Sequence, residues 1–357
     1  VKRVCTICQR VSLDGNLWCQ EPDCPAGDNP VILDYGEWLG DIEVIRLLRV
    51  LRTSAIYEAQ RGEELVLLKI AHNGCQDQLR REARLLIELA SRHAMLPVLL
   101  PAYQQADVKQ RPYGKTVFRT ETKYYEVFEH AEGEFLRDML LKNPQPWFQH
   151  AAWLTISLAD ALAFMHIKAN TLHLNLNPDA VFVRVDKQGI PRPLLLDLGL
   201  LGASGDPQAI DPDWVQRFAV PSYTPPELIA RDAPLAYGSD VYELGILLYE
   251  MLAGHPAFPF AQRKDEEVRQ LVLQGVPEPL ARTDLSDEIH AIVHQAVDRQ
   301  PERRQQDVRV LAKQLRTRFG EVPAERKRSF VRPVLVAGTL IVLITIILIL
   351  VTAVIGY

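Results

Sequence analysis

The chain is poor in cysteine and shows no excess of basic charge. Five cysteines in 357 residues exclude a disulfide scaffold, where cysteine is dense. Lys plus Arg number 40 against 45 Asp plus Glu, a formal charge of −5, so no basic surplus points to nucleic acid. No apolar run opens the chain, and a secretory signal is therefore not expected. From Asp41 to Arg61 there is no glycine. Against these absences, 48% hydrophobic and 24% charged residues lie near the globular average and exclude wholesale disorder. The length suits about two domains of roughly 100–200 residues each. The composition is uneven at the ends, with cysteines gathered at the start and an apolar run at the finish.

The apolar run covers Val334 to Gly356, 23 residues without a charge. At 1.5 Å per residue it spans about 34 Å, enough for a hydrocarbon core of roughly 30 Å. Arg326, Lys327, Arg328 and Arg332 precede it and only Tyr357 follows. The positive-inside rule then leaves the amino-terminal side in the cytoplasm. The expectation is a single-pass, tail-anchored membrane protein with one transmembrane helix at 334–356. A basic juxtamembrane linker at 321–333 precedes the helix, and positions 326–332 attract anionic lipid at roughly 1 kcal/mol per basic residue.

At the other end stand Cys5-Thr-Ile-Cys8 and Cys19-Gln-Glu-Pro-Asp-Cys24. Two pairs with short internal spacing suit a tetrahedral thiolate site, because each tight turn presents two sulfurs toward one point about 2.3 Å away. A reducing cytoplasm disfavours the competing disulfides. Residues 1–34 are therefore expected to be a small zinc ribbon in which Cys5, Cys8, Cys19 and Cys24 hold structural Zn²⁺. So short a segment has too little core to fold alone, and the metal would supply most of its stability. Five acidic residues against Lys2, Arg3 and Arg10 before Tyr35 favour a protein contact over nucleic acid. Cys75, in HNGCQD, reads as an ordinary thiol.

Between the ends the hydrophobic period changes from two to about 3.6. Ile42–Val50, Ser54–Gln60 and ELVLLKIA predict a β-meander, and QLRREARLLIELA (78–90) an amphipathic helix. Further strands are expected near Val98–Tyr103, Lys115–Arg119 and Lys123–Phe128. Beyond Gly133 the pattern turns helical, at Phe135–Leu141, Trp147–Ile167, Val241–Ala253, Asp265–Gln274, Ser286–Val297 and Asp307–Phe319. A β-rich lobe (about 41–131) joined by one short link to an α-rich lobe (about 132–320) makes an α+β, two-lobe architecture over 35–320.

The order of landmarks resembles the protein-kinase fold, in particular bacterial serine/threonine kinases, over about Asp41 to Gly320. Lys69 in LVLLKIA resembles the strand lysine that pairs the α/β-phosphates, and Glu82 in LRREARLL the helix glutamate that holds it. His173-Leu-Asn-Leu-Asn-Pro-Asp-Ala180 is similar to the catalytic loop, with His173 as a structural residue. Asp197-Leu-Gly199 resembles the metal-binding tripeptide, so the resemblance makes Asp197 a candidate Mg²⁺ ligand. Glu129 and Ala131 fall on the interlobe link that offers backbone groups to adenine. Tyr223-Thr-Pro-Pro-Glu227 resembles the close of the activation segment, and the resemblance implies that Glu227 pairs with Arg303. Gly238-Ser-Asp240 looks like the start of the central helix, with Asp240 tying down the catalytic-loop backbone.

The departures from that pattern bear on chemistry. Phosphoryl transfer needs a glycine-rich cover, a lysine, two metal ligands and a carboxylate for the hydroxyl proton. Arg49, Leu51 and Ser54 stand where the cover needs glycine, and side chains there keep backbone N–H groups from the phosphates. Asn175 replaces the proton acceptor, and a positioned base contributes roughly 10²–10⁴-fold. Asn177 replaces the lysine that neutralises the γ-phosphate, Ala180 the second metal ligand, and Leu174 the arginine that anchors a phosphorylated activation segment. Asp179 is the nearest surviving carboxylate. No catalytic residue is therefore expected at Asn175, Asn177 or Ala180. Lys69, Glu82, Glu129, Ala131 and Asp197 remain for weak ATP/Mg²⁺ binding, and Lys69–Glu82 reads equally as an architectural ion pair.

The expectation is a membrane-tethered pseudokinase that binds, scaffolds or allosterically regulates a protein partner, such as an active kinase or a membrane complex. The alternatives are a divergent serine/threonine kinase using Lys69 and Asp197 and, more weakly, a ribbon that contacts nucleic acid.

Overall fold

The computed structural model describes residues 2–12, 19, 29–89, 93–104, 107–206, 210–261 and 263–325. Residues 1–322 form one compact unit and 323–357 a second. The apolar run at 334–356, the basic flank at 326–332 and Cys24 lie outside the described residues. Among the described helices, Phe148–Ala169 alone is long and apolar enough to cross a membrane, but 78% of its apolar window is buried in protein. It is a core helix.

At the amino terminus, strands β1 (Arg3–Val4) and β2 (Val11–Ser12) pair antiparallel. A twisted sheet follows, built from β3 (Trp38–Leu39), β4 (Ile42–Val50), β5 (Ser54–Arg61) and β6 (Glu64–Ala71). Helix α1 (Gln76–Leu89) then leads to β7 (Leu99–Leu100), β8 (Gly114–Phe118) and β9 (Glu121–Glu129). The strand order is β3-β4-β5-β6-β9-β7, with β8 paired to β9. β6 reads as an almost unbroken apolar run because both its faces are covered. Leu67 packs with Ile56, Ala83 and Leu86 toward α1 and the large lobe. Val66, Leu68 and Ile70 pack outward with Tyr57, Val4, Ile32 and Leu33.

The described part of residues 1–34 shares in that outward packing. Val4, Ile32 and Leu33 are buried in the small-lobe core, and the Leu33 N–H donates to the Tyr57 hydroxyl at 3.1 Å. A segment too small for its own core has joined its neighbour's. The strand expected over Val98–Tyr103 is only Leu99–Leu100. Pro97 and Pro101 bracket it, and neither can donate to a ladder.

The large lobe opens with β10 (Glu134–Phe135), α2 (Leu136–Lys142) and α3 (Phe148–Ala169). α3 is apolar nearly all round, as a helix at the centre of a lobe must be. It ends at Asn170 in the left-handed conformation (φ 49°), where asparagine is tolerated. The short pair β11 (Thr171–Leu172) and β14 (Gly202–Ala203) encloses the hairpin β12 (Val181–Val185) and β13 (Pro191–Leu195). Helices α4 (Pro212–Phe218), α5 (Pro226–Ala230), α6 (Tyr237–Ala253), α7 (Asp265–Gln274), α8 (Asp287–Ala296) and α9 (Val308–Phe319) complete it. α4 was not foreseen. Asp211 caps it by accepting the Asp213 N–H at 2.9 Å, with Pro212 at its first position, a start signal that the sequence does carry.

Candidate nucleotide cleft

The cleft lies where the sheet meets the hairpin. β6 places Lys69 with its ammonium in a ring of oxygens. Glu82 of α1 accepts from it at 2.7 and 2.6 Å, Asp197 at 2.7 Å and the Leu196 carbonyl at 3.1 Å. Lys69, Glu82 and Asp197 are all at most 5% exposed. Burial opposes the Lys69 charge, but Asp197 and Glu82 outweigh it and its pKa is raised. Burial likewise lifts Glu82 above the usual carboxylate range, against the pull of Lys69.

A third carboxyl, outside the residues expected from the sequence, belongs to this cluster. Glu126 lies directly across the sheet from Lys69 and is fully buried. Among the described residues, none hydrogen-bonds to its carboxyl. Burial, and then Glu82 nearby, push its pKa well above the usual range, so it keeps its proton. The signal was available in the period of two: Glu126 shares a strand face with the buried Phe128.

The catalytic-loop equivalent is fixed from below. Asp240 accepts from the backbone N–H of His173 at 3.0 Å and of Leu174 at 3.1 Å, and from His166 Nε2 at 2.7 Å. Burial alone would raise the Asp240 pKa, but the His166 hydrogen bond and charge bring it below the usual value. This anchoring holds Leu174 at φ 58°, a conformation that costs a non-glycine residue of order 1–3 kcal/mol. His173 donates from Nε2 to the Asp197 carbonyl at 2.9 Å, and its Nδ1 accepts from the Asn175 N–H at 3.3 Å. With both ring nitrogens engaged and burial lowering its pKa, His173 is a neutral strut. Gly199 (φ 75°) has no room for a side chain, since a Cβ would sit 2.2 Å from the His173 carbonyl oxygen.

The positions where phosphate chemistry belongs are turned toward the protein. The Asn175 side-chain oxygen accepts from the Val220 N–H at 3.0 Å. Asn177 donates to the Asn175 carbonyl at 2.7 Å and accepts from the Asp179 N–H at 2.9 Å. Ala180 is fully buried. Asp179 is engaged by Arg137 at 3.3 Å and Arg49 at 3.4 Å, which leaves it poorly placed to serve as a base. Leu174, at the arginine position, packs with Leu200, Ile210, Val215 and Phe218. Apolar contact therefore does the anchoring expected of a phosphate.

The cover is closed as well. Arg49 lies over the Phe135 ring, 5.3 Å from its centroid, and pairs with Asp138 of α2. Arg52, in the turn between β4 and β5, forms a two-pronged pair with Asp265 of α7 at 2.5 and 3.0 Å. Both arginines tie the small lobe to the large one. A cavity of about 60 Å³ between the lobes is lined by Thr6, Ile7, Arg52, Asn175, Asp197 and Phe260 among others. Ligand pockets run to roughly 300–1,000 Å³. On the link, the Glu129 N–H donates to the Val98 carbonyl at 3.0 Å, and Ala131 is half-buried against the core. Lys69 and Asp197 have the chemistry to meet a magnesium nucleotide, and the cavity beside Asp197 is too small to hold the whole of one.

One expected pair is corrected. Glu227 is held by Arg304, at 2.8 Å to each carboxylate oxygen, and Arg303 is exposed. The 3₁₀ turn Pro301–Arg303 aims Arg303 outward and brings the next side chain under α5. Of the four expected cysteine ligands, the structure brings together Cys5, Cys8 and Cys19, whose sulfurs lie within 4.8 Å of one another.

A lysine–glutamate pair beneath a sheet, an aspartate tripeptide and a loop anchored on the central helix define the two-lobe architecture of kinases. Residues 69–315 match the family described as "Protein kinase domain", well over half of the sequence, and the chain belongs to that family. It is similar to serine/threonine-protein kinase pkn2 of Myxococcus xanthus, 28% identical over 60% of this chain and 25% of the relative. It is also similar to serine/threonine-protein kinase PkaA of Streptomyces coelicolor, 31% identical over 50% of this chain and 31% of the relative. Mouse serine/threonine-protein kinase DCLK3 is 27% identical over 53% of this chain and 23% of its own length. The chain thus spans about a quarter to a third of these relatives.

Proposed function

We propose that the chain is a membrane-tethered pseudokinase, a kinase-fold module that works by binding a protein partner and not by transferring phosphate. The observation that carries this reading is the catalytic loop, where Asn175 bonds the Val220 N–H, Asn177 bonds the Asn175 carbonyl and Ala180 is buried. The losses at these three positions fall on transition-state stabilisation, and residual ground-state binding does not accelerate the chemical step. The Lys69 ammonium is held by four protein oxygens, two from Glu82 and one each from Leu196 and Asp197, and Asp197 lines a cavity of about 60 Å³. The tether is the apolar run at 334–356 with its basic flank, and the partner is an active kinase or a membrane complex. Structural zinc at the cysteine cluster belongs to the same reading.

A second reading, a divergent serine/threonine kinase, is favoured by the intact Lys69–Glu82 pair and by the names of the relatives. The two separate on transfer of labelled γ-phosphate to protein substrates and to the chain itself. The expected result is none above a Lys69→Ala control, with no rescue by Asn175→Asp, because such residues act as a unit. Strong incorporation that vanishes in Lys69→Ala selects the kinase. For the tether, a reporter after Tyr357 should lie outside the cytoplasm, and a cytoplasmic signal there refutes it.

A further inference from the structure

The small cavity beside Asp197 takes part of its wall from the amino terminus. Two of the side chains lining it, Thr6 and Ile7, come from the amino-terminal turn between Cys5 and Cys8. That turn is built with care. The Cys5 sulfur accepts the N–H of Ile7 at 3.3 Å and of Cys8 at 3.4 Å, and the Cys8 sulfur lies 3.5 Å from that of Cys19. Backbone amides pointed at a sulfur, with three sulfurs converging on one point, are what a thiolate–metal site requires. The turn closes with the Gln9 N–H donating to the Cys5 carbonyl at 3.2 Å and the Cys5 N–H donating to the Arg10 carbonyl at 3.0 Å. Gln9 adopts φ 60° as a result.

This geometry aims the Gln9 carboxamide at one residue of the sheet. Its Nε2 donates to the Val50 carbonyl at 3.0 Å, and its Oε1 accepts from the Val50 N–H at 3.2 Å. Val50 is the last residue of β4, where the strand enters the turn that should cover phosphates. The side chain thus takes both backbone groups of Val50, as a neighbouring strand would. The same turn is held on its other side by Arg52 to Asp265 and by the His72 N–H to the Thr53 carbonyl at 2.9 Å. Gln9 thus pins the strand at the residue that opens the turn 51–53.

We propose that the amino-terminal turn Thr6–Gln9 is the built-in occupant of the nucleotide cleft, set in place by the metal-bound cysteine cluster, and that it competes with magnesium nucleotide. The proposal rests on the reading of Cys5, Cys8 and Cys19 as zinc ligands and of Lys69 and Asp197 as a surviving nucleotide site. With zinc bound the turn has one shape and the cleft is shut. With zinc removed the sulfurs have nothing to converge on, the turn loosens, and the cover is released.

The test uses the full chain and trinitrophenyl-ATP with Mg²⁺ as the fluorescent probe, with zinc content measured on every sample. Gln9→Ala leaves the cysteines intact and should retain zinc while binding the probe at least tenfold more tightly than wild type. Wild type stripped by a zinc chelator should gain affinity similarly, and amides 50–54 should exchange faster with deuterium in both. Equal affinity of wild type and Gln9→Ala, including no binding by either, overturns the cap. A gain in Gln9→Ala with no gain in zinc-stripped wild type keeps the cap but refutes its control by metal.

Discussion

The floor and the roof of the cleft have kept different things. On the floor and rear wall, the residues that match the kinase pattern make the bonds that hold the fold: Lys69 to Glu82 and Asp197, Asp240 to the backbone of His173 and Leu174. On the roof and at the catalytic loop, residues that depart from it bond to the protein as well: Arg49 to Asp138, Asn175 to Val220, Asn177 to the Asn175 carbonyl. A group that serves both architecture and phosphate can lose the second task and remain. A group that serves phosphate alone leaves a vacancy, and Arg49 and Asn175 fill theirs with side chains bonded to the protein. The surviving signature residues therefore report on folding before they report on catalysis.

The sharpest way to break this comparison is at the buried pair under α5. Removing one partner of a buried, hydrogen-bonded ion pair typically costs about 3–5 kcal/mol. Arg304→Ala, which strands the buried Glu227, should lower stability by that order in urea unfolding of the full chain. Arg303→Ala at the exposed neighbour should lie within about 0.5 kcal/mol of wild type. Equal effects of the two would show that the pair is not structural.

A smaller effect sharpens the comparison within the floor itself. Glu126 is held protonated by burial, with its folded pKa above the unfolded value. The folded chain therefore binds a proton that the unfolded chain releases, and stability falls as pH rises from the unfolded value, about 4.3, toward the folded one. Glu126→Gln keeps the shape and removes the titration. Its stability relative to wild type should improve between pH 5 and pH 8, by at most about 1.4 kcal/mol per pH unit while one proton is at stake. Parallel pH profiles for the two proteins would place a charged carboxylate there.

Much of this was legible in the sequence because it follows from period and order. The core helix at 148–169, the meander, and the positions of Lys69, Glu82, His173, Asp197 and Asp240 needed only hydrophobic spacing and motif sequence. What was not legible depends on geometry beyond one residue's reach. Arg303 and Arg304 are adjacent and chemically alike, and a 3₁₀ turn decides which one faces Glu227. The cysteine spacing points to a metal site but not to where the segment packs, and Val4, Ile32 and Leu33 close the small-lobe core. Glu126 gave its clue in strand alternation, but nothing in the sequence shows that a carboxyl there lacks a partner. The bonds from Gln9 to Val50 join positions 41 residues apart and carry no local signature.

The central claim is that Lys69 is first a structural residue, and one measurement addresses it most directly: urea unfolding of Lys69→Met against Asn175→Ala, both without nucleotide. If the buried ion cluster holds α1 and the aspartate tripeptide to the sheet, Lys69→Met leaves Glu82 and Asp197 facing each other in the interior. It should then lose about 3–5 kcal/mol, while Asn175→Ala, giving up its hydrogen bond to Val220, loses about 1 kcal/mol. A Lys69→Met protein as stable as wild type, whose only defect is in nucleotide binding, would contradict the account.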